Sequence, residues 1–327
     1  MTRPPYAELA ARSDGFAGTS WGVYGADDEL GTIQEATAER AASAARLVRR
    51  GAVFPLSLPL DEPDPPLFGR RSMRHTVVAE PTSLDDRYDD LHPQASSQWD
   101  ALGHVRHPTL GFYNGAPADS VGIGRGSRLG VDRWGERGIA ARFVLLDVAR
   151  RRAVEGRPVR WDRRDEIGVA DLEDTARAQG VEVTPGSIVL IRTGWLAGFR
   201  AAPREERARI AAMVPSDDIS RDRELMAPAP GLAAQEDVAA WLWDHAVAAV
   251  AADNPALEAM PFSREDVDGW LHYRLIAMLG IAVGELWELD PLAADCAADG
   301  VWEGLLTAAP LRVAGGIGSP ANALALK

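Results

Sequence analysis

The apolar positions of the chain fall into short unbroken runs separated by amphipathic and polar stretches. Within Gly138 to Val148, the residues Phe143, Val144, Leu145 and Leu146 follow one another, so neither face of the segment is left for water. Such a run is expected of a strand buried on both sides. Gly186 introduces a second run, Ile188 to Thr193, and a third spans Ala246 to Ala252 and stops at Asp253. Between them, Val169 to Gln179 fits a helix closed by Gly180, and an amphipathic helix runs from beyond Gly231 to about His245. Towards the N-terminus, a polar arm of about twenty residues precedes a helix over Ala36 to Arg50 that ends at Gly51. A strand over Ala52 to Leu60 follows, then a loop carrying Pro63, Pro65 and Pro66, then a β-branched strand over Arg74 to Ala79. Residues 80 to 133 read as irregular, and Pro203 to Leu225 as a charged, solvated helical insert. The apolar run Leu275 to Val283, a helix over Pro291 to Ala298 and a Gly-rich, β-leaning tail complete the pattern. Strands alternating irregularly with helices predict an α/β fold on a mixed sheet, with residues 21–327 as one domain. No repeat of fixed period is visible.

Composition narrows the picture by exclusion. At 327 residues, 46% hydrophobic and 25% charged, the chain can bury one large core. Its formal net charge of −13 repels phosphate and anionic lipid, which argues against nucleic acid and membrane partners. The longest apolar windows, Leu271 to Trp287 and Ala239 to Ala252, are interrupted by charged residues or histidine, so neither predicts a membrane span. Met1 to Ala10 lacks the apolar run of a secretory signal, and a cytoplasmic location is expected. The single cysteine, Cys296, excludes an internal disulfide and a cysteine metal cluster, and reads as a small core residue.

Any metal must therefore be held by oxygen and imidazole, which turns attention to the six histidines. Asp100 and His104 stand four apart in a segment rich in small and polar residues, while His272 and Glu285 flank the apolar run near the C-terminus. Were that run a strand, the latter two side chains would sit at opposite ends of it, and a bend would be needed to bring them together. Together the four donors suit zinc or manganese, and a divalent ion there would lower the pKa of water and polarise a carbonyl. Other signals carry less. Gly18-Thr19-Ser20-Trp21-Gly22 has the spacing of a nucleophile elbow without the preceding strand, and Gly122 to Gly126 lacks the Lys-Ser/Thr of a phosphate loop. His107 beside Pro108 reads as a surface residue, and the cluster Asp85, Asp86, Asp89 and Asp90 as a solvated turn. Trp241 and Trp243 read as core, with His75, His92 and His245 outside the site.

At these residues the sequence resembles the putative cyclase family, which includes bacterial kynurenine formamidase and isatin hydrolase. The likeness runs from Trp21–Gly31 through Val144–Val148, Ile191–Trp195 and Pro230–Leu232 to the closing segment from His272 to Glu285. Of the family signature H-x-G-T-H-x-D-x-P-x-H, Asp100 and His104 match the last aspartate and histidine. Gln94 and Gln98 stand in place of the two leading histidines, and Leu102 in place of the proline, which marks a Gln-Trp-Asp variant followed by Tyr113-Asn114-Gly115. The resemblance implies a swivelling β/β/α fold and a homodimer or homotetramer. It implies a hydrolase acting on a C–N bond of an aryl or cyclic amide, or on a lactone. Asp100, His272, Glu285 and Gln98 would be metal ligands, with Asp100 and His104 catalytic, and Trp99, Tyr113 and Asn114 at the substrate. The ion would be Mn²⁺ or Zn²⁺, or the site would hold none. Two other readings stay open: a metal-independent cyclase or dehydratase working on a polyketide-like intermediate through Asp100 and His104, and a non-catalytic small-molecule binder.

Overall fold

The computed structural model describes residues 3–327. A nine-stranded mixed sheet forms its centre, with strands, in chain order, β1 (Val53–Pro55), β2 (Gln98–Asp100), β3 (Ile139–Leu146), β4 (Ile188–Ile191), β5 (Ala249–Ala252), β6 (Ala282–Glu285), β7 (Glu303–Ala308), β8 (Gly318–Pro320) and β9 (Ala323–Leu326). Across the sheet the order is β1-β9-β7-β3-β4-β5-β6-β2-β8. The four central strands β3 to β6 run parallel, and antiparallel neighbours extend the sheet on both sides. Phe143–Leu146, Ile188–Ile191 and Ala249–Ala252 are fully buried, as their unbroken apolar runs require.

The helices that cover this sheet follow the expected punctuation only in part: the helix expected over Ala36 to Arg50 spans Ala38–Ala45 and stops at Arg46, short of Gly51. Val169–Gln179 ends on Gly180 at φ 64°, the left-handed closing residue that glycine takes without steric cost. Thr37 caps the helix Ala38–Ala45 by accepting a hydrogen bond from the Arg40 N–H, and Glu236–Asp244 buries Val238, Trp241, Leu242 and Trp243.

Several sequence expectations change. The strand expected over Ala52 to Leu60 shrinks to Val53–Pro55 at the sheet edge, because Pro55 and Pro59 have no N–H to give a ladder. The apolar run after His272 is divided between a π-helical turn, Tyr273–Met278, and β6. Every residue of that turn is buried, so it shows no polar face by which periodicity could tell helix from strand. The first residues hold a short helix, Tyr6–Ala10, that packs on the same chain: Tyr6 and Leu9 enter the core, and the Tyr6 N–H donates to Asp244. His107 is buried instead of exposed, its Nδ1 accepting from the N–H groups of Thr109 and Leu110. Arg74–Ala79, a strand as expected, pairs with Leu84–Asp89, which lies in the stretch expected to be irregular, in an exposed hairpin that carries the acidic cluster. Among the described residues no helix is long and apolar enough to cross a membrane.

Candidate active site

Three chain segments meet at the end of β6. Strand β2 lies antiparallel to it with Gln98 opposite Glu285 and Asp100 opposite Val283. Alternation along β2 points Gln98 and Asp100 to one face and Trp99 to the other. The Gln98 amide donates to Glu285 Oε2 at 2.5 Å and, less closely, to Asp100 Oδ2 at 3.4 Å. His272 enters from the residue that caps the π-helical turn, with Nε2 3.1 Å from Glu285 Oε1. Its other nitrogen, Nδ1, is 2.8 Å from Oε2 of Glu258, a carboxylate with no exposed surface. One donor atom from each of Asp100, His272 and Glu285 can be chosen so that all three lie within 4.8 Å of one another. Beyond β2 the chain turns at Ala101 to Gly103, where a Cβ on Gly103 would meet Val121 at 2.9 Å and the Leu129 carbonyl at 3.2 Å. That close turn brings His104 Nε2 to 3.9 Å from Asp100 Oδ1.

The charges of these groups are strongly interdependent. Burial, then the nearby Asp100 charge, pushes the Glu285 carboxyl up to about 7 against the opposing pull of His272. Burial pulls His272 down, but Glu258 and Glu285 outweigh it and hold the imidazole well above its ordinary range. Both shifts favour a proton shared between His272 and its acidic neighbours Glu258 and Glu285. His104 is moved the opposite way, because burial exceeds the attraction of Asp100, and it stays neutral near pH 7. Two buried atoms of the cluster, Asp100 Oδ1 and Gln98 Oε1, have no hydrogen-bond partner. Over the cluster opens a cavity of about 260 Å³. One wall is an aromatic stack, Phe262 on Trp270 (5.5 Å, 12°) and Trp270 on His272 (5.1 Å, 15°).

A family model described as "Putative cyclase" matches residues 54–259. This chain belongs to the putative cyclase family. A crystal structure described as a novel cyclase superimposes with a TM-score of 0.81 at 31% identity, covering 100% of both chains. Isatin hydrolase A from Labrenzia aggregata, bound to benzyl benzoate, gives 0.53 at 18% identity over 87% of this chain and 95% of its own. An isatin hydrolase bound to the product analogue thioisatinate gives 0.56 at 19%, over 89% and 99%. At that identity the isatin hydrolases show a shared fold. No curated protein matches the chain.

In this cyclase-family chain, the structure brings Asp100, His104, His272, Glu285 and Gln98 together. Trp99, Tyr113 and Asn114 do not line the cavity. Trp99 is fully buried against Trp134 and Trp287, because alternation on β2 turns it away from the face that Gln98 and Asp100 share. The Tyr113 hydroxyl donates to Asp28, and Asn114 bonds the backbone of Gly22, Gly25 and Ala26, so both brace the N-terminal segment. Gln94 sits in a short turn with its amide against Gly318. Ser20 is buried and donates to the Leu279 carbonyl, which leaves it no part as a nucleophile. His75 pairs with Asp86 on the exposed hairpin, and His92 and His245 also lie outside the cavity. Sequence reasoning missed Glu258. The signal available was its place just after Asp253, at the carboxyl end of a central parallel strand, where ligand sites of open α/β sheets gather.

Proposed function

We propose that this chain is a divalent-metal-dependent hydrolase that opens a C–N bond of an aryl or cyclic amide, or the ester of a lactone. The observation that carries the reading is the convergence of Asp100, His272 and Glu285 around the unpartnered Asp100 Oδ1. A buried carboxylate oxygen without a donor is costly, and a cation removes the cost. Glu258 supports the same reading, since a carboxylate on the far nitrogen of a histidine fixes which nitrogen faces an ion. The residues therefore fit a divalent ion, held by Asp100, His272 and Glu285, with the free Gln98 Oε1 as a further oxygen. When bound, the ion supplies Lewis acidity towards a carbonyl and makes water easier to ionise. An oxygen-rich set with one imidazole favours Mn²⁺ over Zn²⁺.

The remaining steps belong to the chain's own side chains. His104 is neutral and keeps 27% of its side-chain surface open, so Nε2 can take a proton from attacking water and return it to the leaving nitrogen or oxygen. Asp100, beside it, favours the imidazolium formed in between. The Phe262–Trp270–His272 stack offers a flat apolar wall for an aromatic ring, and the cavity suits a single ring with short substituents. The fold shared with an isatin hydrolase that binds thioisatinate agrees with a substrate of this kind.

The test is to strip the protein with chelator and titrate it with Mn²⁺, Zn²⁺ and Mg²⁺ by calorimetry. Hydrolysis of aryl formamides, cyclic imides and lactones is followed alongside. Activity that falls on stripping and returns best with Mn²⁺ is expected. Full activity in the stripped protein would overturn metal dependence in favour of acid–base chemistry by Asp100 and His104.

A further inference from the structure

The cavity has a second polar feature that the hydrolytic chemistry does not use. Between β1 and the exposed hairpin, the proline-rich loop passes through Phe68 at φ 59° and Gly69 at φ 71°. Two successive left-handed residues turn the chain sharply, and a non-glycine residue persists there only where its surroundings fix it. The turn brings both Phe68 and Arg70 to the cavity that holds Gln98, His104, His272 and Glu285. A guanidinium keeps its charge at any pH the protein meets, and it presents a fork of donors matched to a carboxylate. Yet the half-buried Arg70 side chain forms no hydrogen bond or salt bridge with a described residue; Glu285 and Asp100 act on it only through space. The contrast with the other arginine on the cavity is direct. Arg264 is committed to Asp222, with Nη2 to Oδ1 at 2.6 Å and Nε to Oδ2 at 2.8 Å. One cation is thus neutralised by its own protein, and the other is left with its donors free.

We propose that Arg70 binds a carboxylate of the substrate, so that the site takes an aromatic amide, cyclic amide or lactone that carries an anionic arm. The scissile bond in this statement rests on the hydrolase reading above; the anion does not. Asp100 and Glu285 cannot serve as the partners of Arg70 and of a divalent ion at once, so loading the ion leaves the guanidinium further in need of an anion. An anionic arm seated there places the ring along the Phe262–Trp270 wall with its carbonyl towards His272 and Glu285.

The experiment compares acids with their neutral amides on protein purified without chelator. Calorimetry with 2-formamidobenzoate against 2-formamidobenzamide, and benzoate against benzamide, is expected to show the acids bound about 10- to 100-fold more tightly, the scale of hydrogen bonds to a charged group. In Arg70→Gln, checked for folding by circular dichroism, the gap is expected to close to within about threefold, with part of it kept in Arg70→Lys. Equal affinity for acid and amide in the parent protein, no binding of either, or a gap that survives in folded Arg70→Gln would overturn the proposal. The parent comparison stands even if the variant fails to fold. Hydrolysis of the formamido pair is followed in parallel to separate the two ideas. Discrimination without turnover keeps the anion site and removes the hydrolase reading, while turnover without discrimination does the reverse.

Discussion

His272 depends on a residue that touches no substrate. Its ring lies between Glu258 and Glu285, and only the Glu258 contact fixes Nδ1 so that Nε2 faces the cluster. Replacing Glu258 by Gln keeps the shape but removes the charge, and loss of such a supporting carboxylate typically costs 10- to 100-fold in metal affinity. Glu258→Gln is therefore expected to weaken Mn²⁺ binding by about 10- to 100-fold, read by calorimetry, with the folded spectrum retained. Unchanged affinity would show that Glu258 does not orient the ring. His104 should separate from this behaviour. Proposed as the proton carrier, at 3.9 Å from Asp100, it is expected to cost about a hundredfold or more in turnover when changed to Gln, while metal affinity changes little. A His104→Gln protein that loses the ion instead would move His104 into the ligand set.

The elements explain why half of the site was legible in the sequence and half was not. Asp100 and His104 lie on one strand and the turn after it, so their spacing already places them together. His272 and Glu285 are thirteen positions apart across a run that looked like a single strand, with the two side chains at its opposite ends. The structure instead folds the first half into a π-helical turn, reverses at Gly280 (φ 65°), and only then starts β6, which brings the two side chains to 3.1 Å. No polar residue interrupts the buried run to signal that change. The central strands were legible because burial on both faces leaves an unbroken apolar signature, whereas β2, three residues long, leaves none. The pairing of β6 depends on Gly284, where a Cβ would lie 2.7 Å from Trp287 Nε1 and 2.8 Å from the Ala251 Cβ. Trp287 Nε1 donates to the Gln98 carbonyl, so a methyl there would press on the bond that joins β6 to β2. Overpacking of this kind costs about 1–3 kcal/mol. Gly284→Ala is expected to lower the urea midpoint accordingly and to weaken Mn²⁺ binding with it. Parent-like stability would show that the strands can part without loss.

At the scale of the whole molecule, the proposed metal site would couple protons, metal and stability. The folded Glu285 carboxyl is raised to about 7, so between the ordinary carboxylate range and pH 7 the native state holds a proton that the unfolded chain has released. Its contribution to stability therefore falls as pH rises across that window. His272 has the same sign. Held well above its ordinary value by Glu258 and Glu285, its contribution is fully present below about 6.5 and is lost as pH rises through the folded value. Both losses describe the metal-free protein, since an ion must displace these protons to reach Glu285 and His272 Nε2. Metal affinity should thus climb with pH through the range in which the metal-free cluster weakens. An ion present at a hundred times its dissociation constant adds about 2.7 kcal/mol to the folded state, and more as that constant falls. Melting chelator-treated protein with and without one fixed concentration of Mn²⁺, at pH 6 and at pH 8, is expected to show a larger rise in Tm at pH 8. Calorimetric titrations in buffers of different ionisation enthalpy should show proton release at pH 6. An equal rise at both pH values, or a larger one at pH 6, would mean that the ion does not compete with the protons of Glu285 and His272 and lies elsewhere.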